Sequence, residues 1–352
     1  MKKTNTLTLI FFLALNYSCS QESISVKYSN TITENNLKDL LYVYASDEFE
    51  GRETGKKGQK LAVNFLRDFY KENKIDAANN TDDYFQKLRI NMPGKSITVP
   101  YTFPDSVRTF RKKMFGENWL ETENVAAIIK GSEKPNEYII LSAHLDHVGK
   151  RGTDIYNGAD DDGSGSVALL EIAQAFKMAE MEGNGPKRSI IFLHVTAEER
   201  GLLGSGFYVD NPLYPLEQTI TNLNVDMIGR VDPEREAKNT DYIYLIGSDR
   251  LSSKLHEVSE SINKSTVNLD LDYKFNALDD PNNFYGRSDH YNFAKNNIPV
   301  IFYFSGTHED YHGPGDDPDK IMYDLLTIRT KLIFHTAWEI ANMEETIKVD
   351  VE

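Results

Sequence analysis

The sequence predicts an α/β fold: a doubly wound, mostly parallel sheet with helices on both faces in a single domain. Three observations carry this. From about residue 120 onward, short apolar runs alternate with stretches of helical period, without internal repeats or low-complexity tracts. The run 138–143 is apolar but for Ser142, and 189–195 is nearly as apolar, as strands buried on both faces are. A glycine-rich turn at 158–165 stands between a strand and a strongly periodic helix over 167–179.

The elements follow in order. Lys2 and Lys3 precede nine residues, 7–15, that are apolar except for Thr8. This reads as a signal peptide over 1–18; a bilayer span needs about 20 apolar residues. Cys19 directly follows, as in a bacterial lipoprotein signal, where that cysteine is acylated. Ser18 fits that pattern, while Asn16 and Tyr17 stand where a leucine and a small residue are usual. The expectation is an exported chain held by a lipid on Cys19 in a bacterial envelope membrane, periplasmic or at the cell surface, or else a plainly secreted one. Residues 19–35 read as a polar tether and 36–352 as the catalytic domain. Helices are expected over 37–45 and 55–70, the second with Leu61, Val63, Phe65, Leu66 and Phe69 as its apolar set. The stretch 78–118 holds three of the twelve prolines and reads as an irregular or short-stranded excursion. Strands then follow at 124–130, 138–143, 189–195, 219–227, 242–246 and 298–304, with later helices over 251–262 and 319–343.

Composition removes several classes of function. Of the 352 residues, 54 are acidic and 39 basic, a net charge of −15. Such a chain is a poor binder of phosphate backbones, so no nucleic-acid partner is expected. A single cysteine allows neither an intrachain disulfide nor a cysteine-based zinc site, so any metal must be held by histidine and carboxylate.

The candidate chemistry lies just after the strands, where open α/β sheets bind ligands. His144, Asp146 and His147 follow the strand 138–143; Asp160, Asp161 and Asp162 sit in the glycine-rich turn. Glu198 and Glu199 follow 189–195, Asp226 ends the strand near 225, and His308, Asp310 and His312 follow 298–304. Five loops thus carry imidazoles and carboxylates to one sheet edge. Carboxylates crowded together repel unless a cation lies among them. Histidine with carboxylate suits zinc. The set is too rich for one tetrahedral ion and matches two ions sharing a carboxylate, about 3.5–4 Å apart. Taken singly, each group has a plain reading as a surface residue, a core histidine or a helix cap. His147, His194, His256, His290, His308 and His335 are read in that plain way.

In order, the motifs HLDH, GADDDGSG, AEERGLLGS, NVDMIG, SDHYNF and DYHGPGDDPDKI resemble the zinc-dependent exopeptidases related to bacterial secreted leucyl aminopeptidase. Glutamate carboxypeptidase II and glutaminyl cyclase share that fold. The resemblance covers about 120 to 345, with GRETGKKGQKLA at 51–62 similar to the family's N-terminal helix. It implies two zinc ions. Some members insert a large protease-associated domain before the first metal motif; here only the excursion at 78–118 fills that place, so no such domain is expected. It also implies that His144 and Asp226 hold one zinc, Glu199 and His312 the other, and Asp161 bridges both. Asp160 and Asp162 would form the turn or support it, and Asp146 would orient His144 or its zinc. Glu198 would act as general base and then acid, and Tyr285 would stabilise the oxyanion. Asp289 and His290 would be supporting residues. Cobalt or manganese would suit the same donors.

The leading expectation is an aminopeptidase acting on peptides with a free N-terminus, whose α-ammonium the acidic cluster would hold. A carboxypeptidase would use a cation such as Arg200, Arg230 or Arg287. The same fold would also serve a cyclase-like acyltransferase with one zinc, or a non-catalytic surface receptor.

Overall fold

The computed structural model describes residues 23–78, 83–91, 96–98, 119–236 and 238–351. The expected signal peptide, Cys19 and most of the excursion at 78–118 lie outside them.

A short first strand, β1 (Asp76–Ala77), precedes the main ones. Nine strands then form the main path of one sheet: β2 (Phe85–Asn91), β3 (Ser96–Thr98), β4 (Trp119–Ile129), β5 (Lys134–His144), β8 (Arg188–Val195), β9 (Thr219–Val225), β10 (Tyr242–Ile246), β11 (Asp270–Asp272) and β12 (Val300–Phe304). Their order across the sheet is β11-β10-β12-β9-β5-β8-β4-β2-β3, with β1 pairing with β4. The strands β6 (Gly149–Arg151) and β7 (Asp154–Tyr156) form a separate ribbon. The central four, β8, β5, β9 and β12, are parallel. Antiparallel neighbours, β4 beside β8 and β10 beside β12, close this block on either side. Every residue of β8, β10 and β12 is buried, which is why their sequences are runs rather than alternations.

Helices cover both faces. One face carries α1 (Ile24–Ser29), α2 (Glu34–Tyr44), α3 (Lys57–Glu72), α4 (Gly165–Met181), α6 (Ser253–Ser265) and α8 (Tyr323–Asn342). Its core includes Leu41, Leu66, Leu169, Phe176, Phe192 and Phe334. Each large apolar side chain buried there contributes roughly 1.5–3 kcal/mol. The other face carries α5 (Leu203–Asp210) and α7 (His290–Ala294), which bring Tyr208 and Phe293 against Ile140 and Leu193. Among the described residues, no helix is long and apolar enough to cross a membrane.

The expected tether is corrected over its described part. Residues 23–35 form α1 and the start of α2, capped by the side chains of Ser23 and Thr33. Tyr28 and Ile32 are buried, and the Tyr28 ring stacks on Trp338 of α8 at 5.6 Å. Tyr28 and Ile32 dock this segment while Ile24 is exposed, and two anchors are easily lost in a count of polar residues.

Topology places the site. The chain leaves β5 through α4 to β8 on one side, then continues to β9 on β5's other side. The loops after β5 and β9 therefore diverge and open a crevice at the carboxyl ends of the parallel strands.

Candidate metal centre and active site

Two groups of donors meet in this crevice and share Asp161. The first consists of His144, Asp161 and Asp226. His144 is the last residue of β5, and its backbone N–H donates to Asp162 Oδ2 at 2.9 Å. Its Nδ1 faces the backbone carbonyl of Asp146 at 3.0 Å. Nε2 is thereby turned toward Asp161 Oδ1 at 3.0 Å and Asp226 Oδ1 at 3.6 Å. Asp226 directly follows β9, and its other oxygen accepts from Ser288 Oγ at 2.6 Å. Met227 then reverses the chain at φ 58°.

Asp161 reaches its place through an irregular turn at the mouth of α4. Gly158 opens the turn at φ +58°, where a Cβ would lie 2.3 Å from the Asp161 carbonyl. The Asp316 carboxylate accepts from the N–H groups of both Asp160 and Asp161 at 3.0 Å. Asp162 carries three backbone donors: His144, Gly165 and Met227. Asp160 accepts from Gly229 N at 2.6 Å. Both aspartates thus hold the turn, as the sequence suggests.

The second group is His147, Asp161 and Glu199, and His312 lies beside the same two carboxylates. His312 Nε2 lies 3.1 Å from Asp161 Oδ2 and 3.4 Å from Glu199 Oε2. His147 Nδ1 lies 2.9 Å from Glu199 Oε1 and 3.7 Å from Asp161 Oδ2. His147, read from sequence as an ordinary histidine, therefore belongs to this cluster. The signal was its place three residues after His144 on the same strand exit, outweighed by how often a single histidine is only structural.

Glu198 and Glu199 leave β8 through Ala197, which sits at φ 57°. Neighbouring side chains diverge at such a turn: Glu199 joins the donors, while Glu198 lines the pocket and belongs to neither group. The Asp146 carboxylate accepts from Glu198 N at 3.1 Å and from Thr54 Oγ1 at 2.6 Å. Asp146 thus steadies His144 with its carbonyl and the glutamate turn with its side chain.

The pocket has a volume of about 470 Å³. Leu202, Met227, Phe284, Phe302 and Phe304 give it apolar walls, with Arg287 and Tyr311 also lining it. Tyr285, expected at the oxyanion, does not line it. The tight turn Phe284–Gly286 sends the Tyr285 ring the other way, 3.9 Å from the Arg250 guanidinium carbon and against His290. Tyr311, stacked on His312 at 4.0 Å, faces the pocket instead. Arg287 donates to the Tyr311 hydroxyl oxygen at 3.3 Å, leaving the hydroxyl hydrogen free to donate.

The imidazoles and carboxylates of this crevice shift one another strongly. Burial alone would raise the Asp161 carboxyl, but His147, His144 and His312 hold it well below the ordinary range. Burial and Asp161 push Glu199 up, yet His147 and His312 bring it to about 2. Burial opposes charge on His312, but Asp161 and Glu199 raise it to about 10. Glu198 moves the opposite way. Burial lifts it well above the usual carboxylate value, with Asp289, Asp226 and Glu199 adding to the rise and His144 opposing it. Asp289 itself is raised to about 7, chiefly by burial.

The donors fit metal ions. A tetrahedral ion with donors at 2.0–2.1 Å spaces them about 3.3 Å apart, and the separations in both groups straddle that figure. Asp161 Oδ2, Glu199 Oε1 and His147 Nδ1 are buried without hydrogen-bond partners, an arrangement that costs free energy unless something binds them. All five metal ligands expected from sequence are brought together.

Residues 124–337 match the family described as Peptidase family M28. The chain belongs to peptidase family M28. This M28 chain is 28% identical to leucine aminopeptidase 2 of Trichophyton equinum over 251 residues, covering 62% of the chain and 45% of that protein. It is 38% identical to the probable glutamate carboxypeptidase LAMP1 of Arabidopsis thaliana over 105 residues, 30% of the chain and 14% of that protein. The chain thus spans about half the length, or less, of these curated relatives. Among solved structures, the LapA aminopeptidase of Legionella pneumophila superposes with a TM-score of 0.66 at 20% identity, covering 98% of this chain and 81% of that one. The glutaminyl cyclase of Porphyromonas gingivalis gives 0.64 at 16% identity, covering 87% and 98%. These likenesses establish the fold.

Proposed function

We propose that this M28 chain is a zinc-dependent aminopeptidase that removes apolar N-terminal residues from peptides. The observation that carries the reading is the pair of donor groups joined at Asp161, with the Glu198 carboxylate beside both and part of neither. His144 and Asp226 would hold one ion, Glu199 and His312 the other, and Asp161 both. Zinc in such a site supplies a Lewis acid that polarises the scissile carbonyl and acidifies water.

The chain's own groups do the rest. Glu198, whose raised affinity for protons suits the task, takes the proton of the attacking water and returns it to the leaving amine. The free hydroxyl hydrogen of Tyr311 donates to the carbonyl oxygen as negative charge develops on it. The carboxylates on the wall hold the substrate's α-ammonium, and Met227, Phe284, Phe302 and Phe304 take its side chain. Arg287 on the same wall favours a second reading, a carboxypeptidase that would pair this cation with a terminal carboxylate.

Zinc-loaded protein is to be tested on one leucine-initiated peptide in three forms: free, N-acetylated and C-amidated. Cleavage of the free and amidated forms alone is the expected result. Cleavage of the acetylated form but not the amidated one would replace the aminopeptidase reading with the carboxypeptidase. Cyclisation of an N-terminal glutamine, with no hydrolysis of any form, would replace it with an acyltransferase.

A further inference from the structure

We propose that His147 is a fourth protein ligand in the Asp161–Glu199–His312 group, so that the two metal positions of this chain are unequal, one closed by protein and one open. This inference rests on the two-metal reading above.

His147 is buried, and neither of its ring nitrogens has a hydrogen-bond partner. Its Nδ1 nevertheless lies 2.9 Å from Glu199 Oε1, an atom equally without a hydrogen bond. At that separation two polar atoms either share a proton in line or share a cation. The proton geometry is missing, so the arrangement favours the cation. His312 approaches the same two carboxylates from the solvent side, its side chain 41% exposed. His147 approaches from the interior, with a side-chain exposure of 0%. The four imidazole-to-carboxylate distances, 2.9, 3.7, 3.1 and 3.4 Å, straddle the edge of about 3.3 Å expected for a tetrahedral zinc.

The fold makes room for this ring and holds it. His147 N donates to the Arg52 carbonyl at 3.3 Å. Gly158 leaves the space: a Cβ there would lie 2.5 Å from the ring carbons Cδ2 and Cγ of His147. The first group offers three donors, His144, Asp161 and Asp226. Sites with four protein ligands are closed, whereas sites with three keep a position for water or substrate. The exchangeable position therefore falls on the His144 side, and the ion beside His147 serves to fix Asp161 and Glu199.

The test is a crystal structure of the zinc-loaded protein with data collected at the zinc edge. It is paired with zinc titration against a competing chelator for the wild type and His147→Leu. The expected structure has an ion within about 2.2 Å of His147 Nδ1. The expected titration has one ion unchanged in His147→Leu and the other at least about tenfold weaker. An ion held by Asp161, Glu199 and His312 with His147 Nδ1 beyond about 3 Å would overturn the inference and leave the two-metal reading standing. Two ions of unchanged affinity in a folded His147→Leu variant would do the same. No zinc at Asp161 in the wild type would overturn both.

Discussion

The donors on the two sides of Asp161 are built from different material. His144 and Asp226 stand at the ends of β5 and β9, inside a hydrogen-bonded parallel sheet, and are 2% and 7% exposed. Glu199 and His312 stand on loops, beyond a left-handed residue at Ala197 and at a left-handed residue in His312 itself. A strand end inherits its geometry from the sheet. A loop has to be held, and the bonds that hold these loops come from elsewhere. Arg200 is tied to Glu53 at 2.8 Å, Glu198 N to Asp146, and the loop before His312 to Arg230 and Lys320 through Asp310. Non-glycine residues with positive φ store strain that the surroundings must offset. The strand side is thus cheap to position and the loop side costly, although both serve one pocket.

Four changes would break or sharpen this contrast. Asp161→Ala has the largest expected effect: both ions are lost and hydrolysis falls to background. Metal content measured by mass spectrometry checks it, and full zinc occupancy would end the idea of a shared carboxylate. Glu198→Gln comes next. Both ions should stay while turnover falls about 10³-fold, since proton transfer contributes about 10²–10⁴; near-normal turnover would remove Glu198 from the mechanism.

Arg52→Leu tests how the loops are tied down. This buried guanidinium donates to the carbonyls of Leu145, Tyr44, Asn157 and Gly158, stitching the loop after β5 to the turn before α4. Leaving these acceptors unpaired should cost roughly 3 kcal/mol or more. The melting temperature should drop by several degrees, and zinc should weaken with it. An unchanged melting curve would show that the loops hold themselves.

Glu171 gives the smallest effect and lies on α4, outside both donor groups. Burial raises its carboxyl to about 7, partly opposed by Asn36 and the backbone of Thr33. A carboxyl with a raised folded-state pKa binds protons more tightly folded than unfolded. Its contribution is fully present below about 4.5 and is lost as the pH rises through about 7. The loss amounts to at most roughly 3 kcal/mol. Glu171→Gln should remove that slope from the stability profile, leaving wild type and variant closest at acid pH. Parallel wild-type and variant profiles across this window would refute it.

Strand order aside, much of the molecule was legible. Apolar runs gave β8, β10 and β12, whereas the equally central β9 alternates apolar residues with Thr221, Asn222 and Asn224, buried polar groups that are held by hydrogen bonds. Motifs at strand exits gave His144, Asp161, Glu199, Asp226 and His312, which the structure gathers. What stayed hidden depended on direction rather than type. His147 and His144 look alike in sequence, and only the exit geometry of β5 turns both inward. Tyr285 is singled out by its place before the SDH motif, but the turn at Phe284–Gly286 sends its ring to Arg250, and Tyr311, to which the motifs give no role, lines the pocket instead. The docking of 23–35 rests on Tyr28 and Ile32 while Ile24, four residues before Tyr28, is exposed, so spacing alone did not mark the buried face.

The Arg52 clamp bears on how this M28 chain can be divided. Arg52 lies outside the stretch 124–337 that matches the family, yet bonds to carbonyls 93, 105 and 106 positions downstream. Thr54 and Glu53 reach across in the same way, to Asp146 and Arg200. A shortened gene beginning at β4 would encode all six donors and Glu198, but not the residues that seal their loops. The motifs are therefore no portable cassette. Recombination or grafting that moves them should carry Gly51 to Gly55 along, as one inherited unit split by about ninety residues of intervening chain.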